Sequence, residues 1–319
     1  MLDKFENIYK KTIELGLKDK SPVDKQEVFS LADSLGLKNP VQKSKDTGEH
    51  LVLAGDLNGK KVIFKANVNP AFINRTLTEI YTLIKFNGKL NNEFIVPKVL
   101  NFDLTDDKYL WVFIEKFIEN FVDGKTFEGV EILSKATLAV IRSNMSIPHK
   151  DNPRLDKIKE GKQYELLKVV VDLAYEWNKE FEHNIDKLVS VLKKYPLKDF
   201  PITCVHGDLV HRHILNLGNK FAIIDWELAG GAYFWGYEPA YIYHRLYTRD
   251  GTKETAEYYK KRFLNSLNKE ETILFNKTFK PMLAQRIIGG YKDYKDKNSK
   301  EYSFNRELEE TVLQSGNFS

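Results

Sequence analysis

At 319 residues, with 42% hydrophobic and 13% aromatic content, the chain is long enough for one large domain or two modest ones and has the side chains for a substantial core. Its 49 basic and 45 acidic residues are interspersed, so the net charge of +4 carries no nucleic-acid signature. The one cysteine, Cys204, excludes an internal disulfide framework and a cysteine-based zinc site and fits a reducing compartment, while no apolar run reaches 18 residues, so no membrane span is expected.

The opening MLDKFENIYKKTIELG mixes charged and apolar residues at helical spacing and lacks the apolar stretch of a secretory signal, which makes the cytoplasm the expected location. Residues 3–35 read as two amphipathic helices, the second capped by Ser21 or Asp24 and ended near Gly36 with Pro40 beyond. From Val41 to Asn67 the pattern is extended: Leu51 to Ala54 and Val62 to Ala66 flank the turn signal Asp56-Leu57-Asn58-Gly59, which predicts a β-hairpin. Ile73, Leu77, Ile80, Tyr81 and Ile84 place a helix over 71–87, and strand character resumes at Phe94–Val99 and Tyr109–Glu115. Beyond Gly124 helical periodicity dominates, over about 127–145, 162–193, 253–267 and 270–293, broken by a strand-rich island at 202–225. A composition shift near 116–126 is the expected domain boundary.

The island carries the chemistry. Ile214 to Leu217 and Phe221 to Ile224 form two apolar strands joined by Gly218-Asn219-Lys220, so antiparallel pairing sets His213 opposite Asp225 as two potential metal ligands. Asp208, five residues before His213, is then a carboxylate at the end of the strand Ile202 to Val205, suited to accept a proton from an incoming hydroxyl. Lys65 ends the apolar stretch Val62-Ile63-Phe64 and needs a counter-charge. Glu79, 14 residues on, lies on the side of its helix that carries Leu83 and Phe86 and is the expected partner.

His206-Gly207-Asp208 followed by Ile214-Leu215, and Ile224-Asp225-Trp226-Glu227, resemble the catalytic loop and metal-binding segment of the aminoglycoside phosphotransferase and choline kinase-like family, relatives of the protein kinases. The resemblance runs from about 41 to 250 and implies a bilobal α+β, protein-kinase-like fold: a helical extension at 1–40, a nucleotide-binding lobe at 41–117, and a helical lobe at 118–319 with the catalytic loop and the acceptor site. It further implies Asp208 as catalytic base, Lys65 on the nucleotide phosphates with Glu79 as its partner in the nucleotide site, Glu115 and Phe117 as the hinge that holds the base, and Ser44 in the phosphate-covering turn Ser44 to Glu49. His213 and Asp225 would hold Mg²⁺, with Mn²⁺ as an alternative, and ATP or GTP would be the donor.

The spacing of 93 positions from Glu115 to Asp208, and H-G-D in place of H-R-D, separate the chain from protein kinases and point to a small-molecule hydroxyl as acceptor. The family's usual metal-binding Asn is His213 here, as in branches that act on aminoglycosides at the 2″ position and on macrolides, although Mg²⁺ prefers oxygen to imidazole. An antibiotic-type acceptor is one expectation and an amino alcohol or a sugar another. Glu227, Glu238 and Asp250 are candidates to bind a cationic acceptor, and Trp235 stands in an aromatic run, Tyr233 to Tyr247, that can stack on one. Two further readings stay open: a catalytically silent nucleotide binder, and a zinc hydrolase built on His206, Asp208, His211 and His213. No nucleic-acid or membrane partner is expected, and oligomeric state is not legible.

Overall fold

A computed structural model describes residues 1–43, 48–143, 163–181, 183–196 and 202–314. These fold into two compact units, one formed by Met1–Asn120 with Leu215–Ala229, the other drawn from 121–214 and Gly230–Ser319. The expected division placed 215–229 with the second part of the chain. The structure groups it with the first, for the pairing and packing reasons given below.

The first unit opens with helices α1 (Leu2–Glu14) and α2 (Lys25–Ser34); the Asp24 side chain caps α2 by accepting from the Gln26 amide, and Gly36 follows at φ 89°. A five-stranded antiparallel sheet comes next, built from β1 (Lys38–Gln42), β2 (His50–Leu57), β3 (Lys60–Asn67), β5 (Val99–Thr105) and β6 (Tyr109–Glu115) in the order β1-β2-β3-β6-β5. The β2–β3 turn uses Asn58 and Gly59, both at positive φ, as its Asn-Gly dipeptide predicts. Leu51, Leu53, Val62, Phe64, Ala66, Trp111 and Phe113 form the core beneath α2, together with Val28, Ala32 and Leu37. Helix α3 (Ile73–Phe86) follows a short 3₁₀ turn at Pro70–Phe72.

The strand expected at Phe94–Val99 divides in two. Pro97 has no amide proton to continue a ladder, and on either side of it the chain joins different sheets. Phe94–Ile95 is β4, parallel to β9 (Phe221–Ile223) in a three-stranded sheet of order β4-β9-β8 with β8 (Ile214–Asn216), whereas Val99–Thr105 is β5 on β6.

The second unit is mainly helical: α4 (Phe127–Ile141), α5 (Gln163–Asn178), α6 (Asp186–Leu192), α7 (Tyr237–Arg245), α8 (Lys253–Asn265), α9 (Lys269–Asp293) and α10 (Lys300–Gln314). Strands β7 (Ile202–Val205) and β10 (Gly230–Phe234) pair antiparallel within it. The stretch expected as one helix over 162–193 is interrupted where the Asn178 side chain donates to the His183 carbonyl and the Asn184 side chain accepts from the Asp186 amide. Among the described residues no helix is long and apolar enough to cross a membrane.

Candidate functional site

In the first unit the chemistry gathers around Lys65. On β3 its register neighbours are Val52 of β2 and Val112 of β6, so the side chain rises from the middle of the sheet and is buried. Its Nζ donates to Glu79 Oε2 at 2.9 Å and to Glu227 Oε2 at 2.6 Å, and stands 3.7 Å from Asp225 Oδ1. Burial alone would lower the ammonium's pKa, but the carboxylates of Glu79, Asp225 and Glu227 hold it above its usual range. Burial pushes the Glu79 carboxyl up, opposed by Lys65 and reinforced by the other two acids.

Asp225 sits in the left-handed region at φ 67°, ψ 57°, an uncommon conformation for a residue with a side chain. What over-determines it follows immediately in the chain. Trp226 is fully buried, donates its indole N–H to the Ile223 carbonyl at 2.8 Å and packs on Phe86 of α3 with ring centroids 4.9 Å apart. One helix therefore supplies both Glu79, which meets Lys65, and Phe86, which anchors the segment bearing Asp225 and Glu227.

Glu227 is shared. While one oxygen accepts a hydrogen bond from the Lys65 ammonium, the other lies 3.5 Å from the guanidinium of Arg75, one helical turn before Glu79 on α3. Arg75 also pairs with Glu49 at 2.8 Å and lies over the Phe72 ring at 4.7 Å. His50 Nδ1 is 3.9 Å from Glu227, and burial together with Lys65 and Arg75 lowers its pKa to about 3, so the ring is neutral.

In the second unit the loop after β7 is wound around one side chain. Glu238, in the first turn of α7, is completely buried; its Oε2 accepts the amides of His206 at 2.6 Å and Gly207 at 3.2 Å, and its Oε1 accepts that of Leu209 at 3.4 Å. Gly207 has φ 86°, which a residue with a Cβ rarely adopts. The loop thus presents Asp208, whose Oδ1 accepts the phenolic proton of Tyr241. Arg286 lies over the Tyr241 ring at 4.5 Å, and Arg245, bonded to Asp250 at 2.7 Å, is nearby. Nδ1–H of His213 donates to the Asp208 carbonyl at 2.6 Å.

The structure brings Lys65, Glu79, Asp225 and Glu227 together. His213 belongs to the second unit and Asp225 to the first. Glu115 ends β6, its amide bonded to the Lys98 carbonyl, and Phe117 follows, half-buried. Ser44 lies outside the described residues. Two of the candidates for acceptor binding are placed otherwise than expected: Glu238 is sealed in the core holding the Asp208 loop, and Trp235 is buried with its carbonyl accepting from Tyr195. Glu227, the third, is engaged with Lys65 and Arg75, and Asp250 with Arg245.

The histidine-rich cluster imagined for zinc does not form. Among the described residues, one set of three potential ligands gathers within 4.8 Å, namely Glu79, Asp225 and Glu227. His211 instead turns against Gly124, so closely that a Cβ there would meet its Nδ1 at 2.8 Å. Arg75, His50 and Tyr241 were missed in the sequence. The one available signal for Arg75 was its spacing of four residues from Glu79.

A β-rich lobe holding a buried lysine–glutamate pair, and a helical lobe holding an H-G-D loop, define the bilobal α+β fold of protein-kinase-like phosphotransferases. A model of the phosphotransferase enzyme family matches residues 80–272, and the chain belongs to that family. A search of curated proteins gave no match. Among solved structures the chain is similar to aminoglycoside phosphotransferase APH(4)-Ia in complex with ADP and hygromycin B, with TM-score 0.64 and 12% identity over 91% of this chain and 99% of that one. It is also similar to an amicoumacin kinase in complex with AMP-PNP, Ca²⁺ and Ami, with TM-score 0.58 and 13% identity over 92% and 94% of the two chains. A Plasmodium vivax ethanolamine kinase aligns with TM-score 0.55 and 12% identity over 86% and 82%. At these identities the likeness is one of fold.

Proposed function

We propose that the protein is a small-molecule kinase that transfers the γ-phosphate of ATP or GTP to a hydroxyl of its acceptor. The observation that carries this reading is the buried Lys65 ammonium held between Glu79, Glu227 and Asp225, a cation fixed where a strand and a helix converge. In the step proposed, the Asp208 carboxylate takes the proton of the acceptor hydroxyl as its oxygen bonds to the γ-phosphorus. The bond from that phosphorus to the β–γ bridging oxygen breaks, and the nucleoside diphosphate leaves.

The donor set fits a hard divalent cation. Glu79, Asp225 and Glu227 bring carboxylate oxygens within 4.8 Å of one another, and oxygen is the donor a hard divalent cation prefers. Asp225 would be the principal ligand, with Glu227 as a further oxygen donor and His213 as an auxiliary one; Mn²⁺ tolerates that imidazole better. Such a cation, when bound, neutralises charge on the transferring phosphoryl group.

The acceptor is placed in the second unit, beside Asp208, and its class is taken from antibiotics of aminoglycoside or macrolide type, amino alcohols and sugars. The neighbouring structure with hygromycin B, the amicoumacin kinase and the ethanolamine kinase support that range. A role in antibiotic resistance and a cytoplasmic location belong to the same proposal. Incubating the protein with ATP or GTP and each acceptor class tests it: acceptor-dependent nucleoside diphosphate release is expected, and its absence across all classes would leave the silent-binder reading.

A further inference from the structure

We infer that Arg75 is a second cation for the nucleotide's polyphosphate, and that Glu227 occupies its place between Arg75 and Lys65 until a phosphate does. This deepens the nucleotide-binding reading above and rests on it. Three observations carry it.

First, Arg75 and Lys65 address opposite oxygens of one carboxylate, at 3.5 and 2.6 Å. Two cations that converge on a single carboxylate are spaced to converge on a phosphate, which is larger but has the same oxygen-rich character. Second, Arg75 is pre-aimed. Its guanidinium lies on the Phe72 ring, and its other partner, Glu49, immediately precedes β2. A surface arginine that served only solubility would not be held on three sides. Third, α3 fixes the spacing, because Arg75 and Glu79 are four residues apart on one face and Glu79 is locked to Lys65.

The inference separates the two arginine partners. Glu49 holds Arg75 in place, whereas Glu227 competes with the incoming phosphate for both cations. Removing the Glu227 charge then favours a metal-free polyphosphate, while removing the Arg75 charge disfavours one in proportion to its phosphate number.

Calorimetric titration of AMP, ADP and ATP, each with Mg²⁺ and with EDTA, tests this on wild type, Arg75→Ala, Arg75→Lys and Glu227→Gln. Arg75→Ala is expected to weaken ATP by about tenfold to a hundredfold, the worth of one charge-assisted hydrogen bond, with a smaller loss for ADP and less than about twofold for AMP. Arg75→Lys should recover part of the ATP loss. Glu227→Gln should tighten ATP in EDTA by about tenfold. Equal losses for all three nucleotides on Arg75→Ala, or none, would overturn the inference and leave Arg75 as a strut between α3 and Glu49. Unchanged or weaker metal-free ATP binding by Glu227→Gln would overturn the place-holder role. A wild-type protein that bound none of the nucleotides would remove the nucleotide reading itself, an outcome distinct from both.

Discussion

Asp208 and Asp225 are both single carboxylates, and the roles proposed for them differ because their surroundings do. Asp208 is half-buried and accepts the Tyr241 phenolic proton on one oxygen, so in the proposed reaction the other oxygen is the one for the acceptor hydroxyl. Asp208→Ala is therefore expected to lower turnover by about 10²–10⁴-fold, with nucleotide affinity changed little. Tyr241→Phe keeps the ring under Arg286 and removes only the phenolic proton; a fall in kcat of about tenfold with unaltered nucleotide affinity is expected, and a matching loss in nucleotide Kd would contradict this assignment. Asp225→Asn is informative because asparagine tolerates the left-handed backbone, so the folded state should survive while metal-dependent nucleotide binding is lost. The pairing of Lys65 with Glu79 was legible in the sequence, because a lysine closing an apolar strand needs a counter-charge and Glu79 lies on the apolar side of its helix. Tyr241 was not, since it is one of several aromatics within a dozen positions and only the fold selects the one that reaches Asp208.

At the scale of elements, two helices do the positioning. α3 carries Arg75, Glu79 and Phe86, and α7 carries Glu238 and Tyr241, so the loop that bears Asp208 is held from the helix that follows it. Glu238→Ala would strand the amides of His206, Gly207 and Leu209 in the core. A loss of about 3 kcal/mol is expected from thermal or denaturant unfolding, and a stability within 0.5 kcal/mol of wild type (about the scale of an exposed substitution) would refute the role. α7 also ends in His244, fully buried, its Nε2–H given to Asn305 and its pKa lowered to about 3 by burial and by Arg286. The folded pKa lies below the unfolded value near 6.5, so the unfolded chain binds the extra proton first. Stability is intact above about pH 6.5 and falls as the pH drops from there toward 3, by up to about 1.4 kcal/mol per unit. Between pH 7 and 5 the unfolding midpoint should fall, and His244→Gln should flatten that slope. Most elements were visible as periodicity or as a turn signal. α10 was not, because its buried residues Asn305, Leu308 and Val312 make a narrow stripe in a charge-dense segment, and one of the three is polar.

The whole molecule joins its two units by a chain that crosses between them more than once, and the first unit is completed by a hairpin from far along the sequence. A composition shift marks only a contiguous boundary, so the return of Leu215–Ala229 could not be read from it. This return predicts what a minimal nucleotide-binding fragment requires. Residues 1–120 alone would lack β9 beside β4 and lose Trp226 from Phe86, and burial of a tryptophan of this kind is worth roughly 3–5 kcal/mol, a large part of a small domain's total stability. It would also leave Lys65 with Glu79 as its only partner of the three. The missing piece can be supplied directly, because the Asn216 amide donates to the Asn120 carbonyl at 2.7 Å and the Asn120 side chain returns a bond to the Asn216 carbonyl at 3.3 Å. Ends this close can be joined by a linker of about four glycine and serine residues. A fragment of 1–120, that linker and 215–229 is therefore expected to unfold in one cooperative transition and to retain Arg75-dependent affinity for ATP, whereas 1–120 alone should show a broad, non-cooperative loss of structure. Cooperative unfolding of 1–120 at the temperature of the spliced fragment would mean that the distant hairpin adds nothing to the unit's fold.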